Sequence, residues 1–268
     1  MTDFWTTILE FCYATTERVG NQLVKDFGQV QAIQKSDGSL VTQSDKWADG
    51  QLTTAIASSF PSYGILSEES EQVFPGTEWC WVIDPVDGTT NFTRGLPIWG
   101  ISLGLLYQGV PVFGFVYIPT LRQSFYGFWG ENSDLNLPTG AYLNNRLITA
   151  GVDKPDNHHF FSVCSRSTSV IKPNFPCKIR MYGVASYNFL TVANGSTLGA
   201  VEVSPKVWDL AGAWPILKAA NATWVSLKSD PFPLITGENY IARSFPTLAV
   251  AHPELVDIFK PFLLEIIY

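Results

Sequence analysis

Two aspartates three positions apart, Asp84 and Asp87, follow an apolar segment and precede a glycine and two threonines. The segment is rich in β-branched and aromatic residues, which is typical of a buried strand. The carboxylates should therefore lie at a strand end, where α/β proteins place their sites. Gly88 leaves room for close approach to the backbone, and Thr89 and Thr90 begin an element whose free N–H groups suit an anion. The turn thus predicts a cation site beside a phosphate site.

Other acids also stand next to predicted strand ends or helix starts, at Asp45, Glu68, Glu69 and Asp209, with Glu202 nearby. Like charges about 4 Å apart repel by roughly 4 kcal/mol at an effective dielectric constant of about 20, so such a cluster needs protonation, separation or cations. Oxygen ligands without His or Cys favour Mg²⁺, Mn²⁺ or Ca²⁺ over Zn²⁺. A surface turn without function is the alternative, but the apolar strand before it favours metal or phosphate chemistry.

The spacing of Asp84 and Asp87 disfavours two other arrangements. An EF-hand loop has its glycine elsewhere and ends on a bidentate glutamate, which is missing here. Phosphatases of the haloacid dehalogenase type have one residue between two aspartates, the first of which attacks phosphorus. Here two residues separate the carboxylates, which would point them differently, so both are interpreted as metal ligands.

The composition limits the partners. The chain has 268 residues, of which 46% are hydrophobic and only 15% are charged, against about a quarter in typical domains. Nucleic acids and anionic membranes bind proteins that carry an excess of positive charge. The net charge of −7 therefore argues against both as partners. A phosphate ester would then need local basic residues or bound metal. The charge-poor, aromatic composition is compatible with an oligomer interface.

Cysteine usage and hydropathy predict a cytoplasmic protein. The four cysteines are scattered without a C-x-x-C pair, which is typical of reduced thiols. The chain has no uncharged apolar run of about 18 residues, so no membrane span is expected. The first residues lack the basic segment of a signal peptide.

Hydrophobic periodicity predicts the elements that position the acids. The 3.6-residue period predicts helices over residues 3–27, 45–59, 186–193, 208–220 and from 253 to about 266. Ser44 or Asp45 is expected to cap the second helix. Pro85 is expected to end the central strand, because it has no N–H to donate.

The middle of the chain predicts a sheet and a junction. Residues 98–130 alternate β-rich runs with Gly and Pro, which predicts an antiparallel meander. Residues 150–160 are polar and rich in turn formers, and they mark the boundary between two halves. We expect an N-terminal half, 1–150, with the sheet and most metal ligands, and a C-terminal half, 151–268, with substrate-side residues, together forming one catalytic unit.

These motifs together resemble one known family. The stretch from Trp81 to Phe92 looks like the signature of the inositol monophosphatase family. Four further elements are similar to the family's other motifs, in family order: Lys35 to Asp45, Ser67-Glu68-Glu69, Gly183-Val-Ala185-Ser and Trp208-Asp209-Leu-Ala-Gly-Ala. The resemblance spans about residues 35–215. It implies an α/β (α+β) fold, a layered αβαβα sandwich with an antiparallel sheet in the first half and a second sheet in the second, and a homodimer.

The resemblance also implies a metal set and a catalytic set. The implied metal ligands are Glu68, Asp84, the Val86 carbonyl, Asp87 and Asp209, holding two or three Mg²⁺ ions that Mn²⁺ can replace. The implied catalytic residues are Glu68, Thr89 and Asp45, which position a metal-activated water. This water attacks phosphorus in line, without a covalent enzyme intermediate.

The implied substrate residues complete the site. They are Asp87, Gly88, Thr89, Thr90, Gly183, Ala185 and Glu202, of which Gly88 to Thr90 face the phosphate and Asp87, Ala185 and Glu202 the ring hydroxyls. The function implied is Mg²⁺-dependent hydrolysis of myo-inositol 1-phosphate, with sensitivity to Li⁺.

Two alternatives stay open. One is a related phosphatase acting on fructose 1,6-bisphosphate, histidinol phosphate or 3′-phosphoadenosine 5′-phosphate. The other is a non-catalytic binding or regulatory descendant. The chain departs from the family pattern at Ser67, Arg94 and Ala220-Asn221, where the family has glycine, histidine and a glycine pair. None of these departures removes an expected ligand, but they leave the identity of the alcohol open.

Overall fold

A computed structural model describes residues 4–35, 38–130 and 133–264. These residues form seven α-helices. In chain order they are α1 Phe4–Asp26, α2 Gln43–Ser59, α3 Thr89–Arg94, α4 Ala185–Ala193, α5 Val207–Ala211, α6 Ala213–Ala219 and α7 Glu254–Phe259. None of these helices has both the length and the apolar composition needed to span a bilayer.

The strands of the described residues form a two-stranded ribbon and two larger sheets. The ribbon pairs β1 Ile33–Gln34 with β2 Leu40–Val41. The seven-stranded sheet contains, in spatial and chain order, β3 Gly64–Ser67, β4 Trp79–Asp87, β5 Gly100–Tyr107, β6 Val110–Ile118, β7 Gln123–Phe128, β8 Gly140–Leu143 and β9 Arg146–Ile148. The five-stranded sheet contains β10 Phe160–Val163, β11 Lys178–Met181, β12 Gly199–Glu202, β13 Thr223–Ser226 and β14 Thr247–Val250, in the order β11-β10-β12-β14-β13.

The meander predicted over residues 98–130 is confirmed, because β5, β6 and β7 pair antiparallel in succession. The sheet as a whole is mixed, since β3 pairs parallel with β4 at one edge. The second sheet is mixed as well, with β10 parallel to both β11 and β12 and the remaining pairs antiparallel.

Alternation along single strands shows how the layers stack. Trp81 and Ile83 of β4 share a core with α1 and α2, whereas Cys80 and Val82 share a core with α5 and α6, because successive strand residues face opposite sides. In β10, Ser162 donates to the Asn188 carbonyl of α4 at 3.2 Å. The neighbouring ring of Phe161 lies 4.9 Å from that of Phe259 in α7. Helices therefore lie outside and between the two sheets, which confirms the αβαβα class.

The structure corrects two details. Strand β4 does not end at Pro85 but continues to Asp87, with a register shift between Asp84 and Asp87. Such an irregularity lets a residue without an N–H stay within the strand. The cap of α2 is Thr42, whose Oγ1 accepts the Asp45 N–H at 3.2 Å, while Asp45 accepts the Thr42 N–H at 2.9 Å.

Two predicted helices are shorter than expected. The helix over 208–220 is divided at Gly212 into α5 and α6, and Pro215 lies in the first turn of α6, where the missing N–H has no helical partner in any case. The last helix ends at Phe259, and a 3₁₀ turn over Lys260–Phe262 follows it. Residues 265 and 266 of that prediction lie outside the described residues.

Candidate metal centre and substrate cavity

The irregular end of β4 orients the first two carboxylates. Asp84 Oδ1 accepts the Val86 N–H at 3.0 Å. Asp87 accepts two N–H groups from the start of α4, that of Ser186 at 2.8 Å and that of Ala185 at 3.3 Å. Backbone donors therefore hold both carboxylates, and those on Asp87 come from the second half of the chain.

A third carboxylate reaches the same point from α5. Asp209 lies in the first turn of this helix, and its Oδ2 accepts the Lys206 N–H at 2.7 Å. One oxygen each of Asp84, Asp87 and Asp209 lies within 4.8 Å of the other two. Residues far apart in the sequence thus form one cluster of three acids.

The electrostatics of this cluster favour a cation. Burial raises the pKa of Asp84, and the charges of Glu68, Asp87 and Asp209 raise it further. Burial likewise raises the pKa of Asp209, with Asp87 and Glu68 adding to it. Burial also raises the pKa of Asp87, although the hydrogen bonds from Ser186 and Ala185 oppose the shift. Hard oxygen donors that repel one another in this way fit a divalent ion such as Mg²⁺ or Mn²⁺.

Glu68 lies beside the three aspartates and contacts Lys35. The Lys35 Nζ is 2.8 Å from Glu68 Oε1 and 2.5 Å from Glu69 Oε1. Burial raises the pKa of Glu68 to about 7, with Lys35 lowering it and Glu69 raising it. Burial would lower the pKa of Lys35, but the two glutamates outweigh it and raise that pKa. Lys35 therefore lies against an expected metal ligand.

Thr89 and Asp45 form a hydrogen-bonded pair at the start of α3. Thr89 Oγ1 lies 3.0 Å from Asp45 Oδ1 and 3.2 Å from the Val86 carbonyl. Burial raises the pKa of Asp45, while its hydrogen bonds with Thr42 and Thr89 lower it. The pairing implied by the resemblance is therefore present, and it joins α2 to the turn after β4.

These residues surround a cavity of about 500 Å³. Its wall includes all but one of the expected site residues, namely Glu68, Asp84, Val86, Asp87, Gly88, Thr89, Thr90, Gly183, Ala185, Glu202 and Asp209. The exception is Asp45, which lies behind Thr89. Residues from both halves of the chain thus line one cavity.

Gly88 allows the two halves to approach each other. Its φ is +93°, and a Cβ at this position would lie 2.6 Å from Cγ2 of Val184. The Asn91 amide of α3 also joins the halves, donating to the Ile98 carbonyl at 2.7 Å and to the Tyr182 carbonyl at 2.6 Å. A side chain at position 88 would therefore disturb both the turn and the cavity wall.

A second part of the cavity wall contains Glu202, which is 2% exposed. Its Oε1 accepts the Asn188 amide at 2.5 Å. Burial raises the pKa of Glu202 to about 7, while hydrogen bonds with Cys164 and Asn188 lower it. The wall here also includes Arg166 and Tyr182. Sequence reasoning missed Cys164, Arg166, Tyr182 and Asn188, because no local pattern connects them to the acids.

The structure accounts for two departures from the family pattern. Ser67 is fully buried, and its hydroxyl donates to the Asp49 carboxylate of α2. Asn221 follows the end of α6 with a φ of 64°, a left-handed conformation that Asn tolerates better than most residues. Arg94 lies exposed in the last turn of α3 and is not among the residues that line the cavity.

Comparisons with known proteins show what the whole chain is similar to. A model described as "Inositol monophosphatase family" matches residues 5–259. An inositol-1-monophosphatase of Synechocystis is 30% identical over 263 residues, covering 93% of this chain and 87% of the relative. A fructose-1,6-bisphosphatase/inositol-1-monophosphatase of Aquifex aeolicus is 29% identical over 228 residues, covering 80% and 83%. The solved IMPase of Thermotoga maritima superimposes with a TM-score of 0.78 and 26% identity, covering 96% of this chain and 98% of that one.

Proposed function

Because the chain belongs to the inositol monophosphatase family, and is thereby a metal-dependent phosphoric monoester hydrolase, we propose that it hydrolyses myo-inositol 1-phosphate to inositol and phosphate with Mg²⁺. The observation that carries this proposal is the convergence of Asp84, Asp87 and Asp209 within 4.8 Å in a cavity that also holds Glu68. The donor set fits Mg²⁺, and Mn²⁺ is expected to substitute for it.

Glu68, Asp84, the Val86 carbonyl, Asp87 and Asp209 would hold two or three ions. When bound, Mg²⁺ supplies positive charge for the phosphate and lowers the pKa of water. The raised pKa values of the acids support this assignment, because a cation would relieve the burial of like charges. Lys35, which contacts Glu68 and Glu69, would help to hold these acids in place.

Thr89 and Asp45 would move the proton of the attacking water. Thr89 Oγ1 donates to Asp45 Oδ1 at 3.0 Å, which leaves the Thr89 oxygen free to accept a hydrogen bond from water in the cavity. Together with Glu68, Thr89 would orient that water for in-line attack on phosphorus. The N–H groups of Gly88, Thr89 and Thr90 would face the phosphate oxygens.

The part of the cavity around Glu202, called the alcohol end, would hold the alcohol. Asp87, Gly183, Ala185 and Glu202 line the cavity where ring hydroxyls would lie. Glu202 is held by Asn188 at 2.5 Å, so its direction is defined before the substrate binds. A buried carboxylate that accepts hydrogen bonds from hydroxyl groups is suited to a polyol.

Phosphate release from a panel of esters tests this function. With Mg²⁺ we expect the highest kcat/KM for myo-inositol 1-phosphate, loss of activity in EDTA and inhibition by millimolar Li⁺. The panel includes fructose 1,6-bisphosphate, histidinol phosphate and 3′-phosphoadenosine 5′-phosphate. The name of the Aquifex relative favours the first of these as the second candidate. If metal bound but no ester were hydrolysed, the protein would be a binding or regulatory descendant instead.

We further propose a homodimer in the cytoplasm. The four cysteines are all unpaired, as is usual in a reducing compartment. The composition, 46% hydrophobic and only 15% charged, supports an association between copies. Light scattering on the purified protein tests the dimer, and a monomer at micromolar concentration would contradict it.

A further inference from the structure

The three histidines of the chain, His158, His159 and His252, all lie outside the wall of the substrate cavity. His158 and His159 directly precede β10, and His252 lies between β14 and α7. The start of β10 and the end of β14 lie at the same end of the second sheet, because Gly199 of β12 pairs with residues of both strands. The topology thus brings imidazoles from two distant segments to one place.

The ring of His159 is oriented by Asp156. Asp156 Oδ1 accepts the His158 N–H at 2.7 Å and lies 2.7 Å from Nδ1 of His159. A carboxylate accepts hydrogen bonds, so Nδ1 carries a proton, and in the neutral ring Nε2 then keeps a free lone pair. Metal-binding histidines commonly have this arrangement, in which a carboxylate on one ring nitrogen directs the other nitrogen towards the ion.

The Nε2 atom of His159 faces a second carboxylate, that of Asp153. The distance from Nε2 to Asp153 Oδ2 is 3.8 Å, which is too long for a hydrogen bond. A tetrahedral ion that binds both atoms at about 2.0–2.2 Å brings them to about 3.4 Å, so a closure of about 0.4 Å is enough. The Asp153 side chain is exposed and can make this movement.

His252 is placed to supply a third ligand. Its Nε2 lies 3.3 Å from the main-chain carbonyl of Asp153, the residue whose carboxylate faces His159, so a rotation of the ring brings a nitrogen to the same point. Two imidazoles and one carboxylate form a ligand set of zinc, whose fourth position is taken by water. Asp153 and Asp156 also outnumber the neighbouring Lys154, which gives this segment a negative charge.

We propose that Asp153, His159 and His252 bind one Zn²⁺ ion at a site separate from the substrate cavity. The ion joins the segment between the two sheets to the start of α7 and so stabilises the second half of the chain. Asp156 is a positioning residue, because it holds the His159 ring rather than the ion. The aspartate cluster of the cavity differs from this site in offering only oxygen ligands, and phosphate hydrolysis does not depend on the zinc.

Equilibrium dialysis of the full chain against Zn²⁺ in excess Mg²⁺ tests the site. Mg²⁺ occupies oxygen ligands but does not favour imidazole, so zinc that remains bound reports the histidine site. We expect the wild type to retain one Zn²⁺ per chain more than His159→Gln or His252→Gln. His158→Gln removes an exposed imidazole from the same segment and is the matched control, which should retain as much zinc as the wild type.

X-ray absorption at the zinc edge separates this site from the aspartate cluster. We expect scattering from imidazole rings in the wild type and its loss in His159→Gln. Equal zinc contents of the wild type and His159→Gln would overturn the proposal. So would zinc that is bound through oxygen alone and is lost only in Asp87→Asn, because that ion would belong to the cavity.

Two further measurements grade the effect. Asp156→Asn keeps all three ligands and should weaken zinc binding about 10- to 100-fold, as is usual for the loss of such an orienting contact; an unchanged affinity would overturn the role of Asp156. Zn²⁺ at about 100 times its dissociation constant should raise the unfolding temperature of the wild type by about 5 °C. An equal rise in His159→Gln would show that zinc stabilises the protein elsewhere and would overturn the proposal.

Discussion

The two ends of the cavity are built differently. At the aspartate end, main-chain N–H groups hold the acids: Val86 donates to Asp84, Ser186 to Asp87 and Lys206 to Asp209. At the alcohol end, side chains hold one another, as Asn188 holds Glu202 and Ser204 contacts Arg166. Backbone contacts change little when neighbouring side chains are replaced, whereas side-chain networks change with a single substitution.

This difference suggests how the two ends divide their tasks. The aspartate end needs a fixed geometry, because a metal-dependent site tolerates little displacement of its ligands. The alcohol end is built mainly on other elements, since its residues come from β12, from the turns after β10 and β11, and from Asn188 of α4. Variants at the aspartate end should therefore affect turnover, and variants at the alcohol end should affect the choice of substrate.

The largest effect is expected for Asp87→Asn. The substitution removes one charge from the aspartate cluster, and we expect kcat/KM to fall at least about 1000-fold, since metal stabilisation of the transition state amounts to several kcal/mol. The fold should persist, because weaker repulsion from Asp84 and Asp209 offsets the loss of one backbone hydrogen bond. Steady-state kinetics and circular dichroism measure both quantities.

Thermal unfolding extends this test. Excess Mg²⁺ at about 100 times its dissociation constant should stabilise the wild type by about 2.7 kcal/mol, and Asp87→Asn should lose most of that gain. Asp257→Asn, an exposed acid on α7, is the control and should keep it. Near-normal turnover in Asp87→Asn would contradict the metal assignment.

Thr89→Ala should have the next largest effect. It removes the hydroxyl that contacts Asp45 at 3.0 Å, and kcat should fall about 100-fold or more, as is usual when a proton-transfer group is lost. The affinity for Mg²⁺, measured by calorimetry, should change little. Thr89→Ser keeps the hydroxyl and should recover most of kcat. A parallel loss of metal affinity would instead give Thr89 a role in the metal site.

Much of the aspartate end could be predicted from the sequence, because its residues lie in local patterns. Asp84 and Asp87 follow an apolar strand, and Asp209 stands at a helix start, so strand and helix rules were enough to suggest a cation site. Those rules did not show that the three aspartates lie together, or how many residues form the metal site. The set of ligands was implied by the resemblance to a family.

The alcohol end could not be predicted in this way. Arg166 and Cys164 lie in and before a 3₁₀ turn, and Asn188 lies inside a helix, where nothing in the local pattern marks it. Their proximity to Glu202 depends on how β10, α4 and β12 pack, which periodicity does not reveal. The layered fold class was predicted correctly, whereas the division of the chain near residue 150 stays a prediction.

Glu202→Gln tests the alcohol end through the pH dependence of stability. Burial raises the pKa of Glu202 from 4.5 to about 7 in the folded state. Between these two pH values the folded protein keeps a proton on Glu202 that the unfolded chain releases. Below a pH of about 4.5 the protonation of Glu202 does not lower the free energy of unfolding. As the pH rises from about 4.5 to about 7, this group lowers the free energy of unfolding by up to about 3 kcal/mol. The glutamine variant should lack this loss.

Thermal unfolding at several pH values measures the difference between the two proteins. We expect Glu202→Gln to approach the wild type at acidic pH and to exceed it at neutral pH, and KM for myo-inositol 1-phosphate to rise about tenfold, as one charged hydrogen bond predicts. Glu10→Gln, exposed on α1, should keep the wild-type pH dependence. A constant offset at every pH would show that Glu202 is ionised in the fold.

The smallest effect is expected for Ser67→Gly, which restores the residue of the family pattern. The serine hydroxyl donates to Asp49, and both residues are buried. Its removal leaves that carboxylate without this donor and should cost about 1–3 kcal/mol of unfolding free energy. Turnover should stay within about twofold, since Ser67 is not part of the cavity wall.

A double-mutant cycle with Ser67→Ala and Asp49→Asn assigns that cost to the pair. Denaturant unfolding should show a coupling energy of about 1 kcal/mol or more for residues in direct contact. If the two changes were additive, the hydrogen bond would not stabilise the fold, and Ser67 would be a neutral substitution. If kcat fell along with stability, the loss of the Ser67–Asp49 contact would also displace Glu68, the next residue. The geometry of the aspartate end would then depend on side-chain contacts as much as that of the alcohol end does.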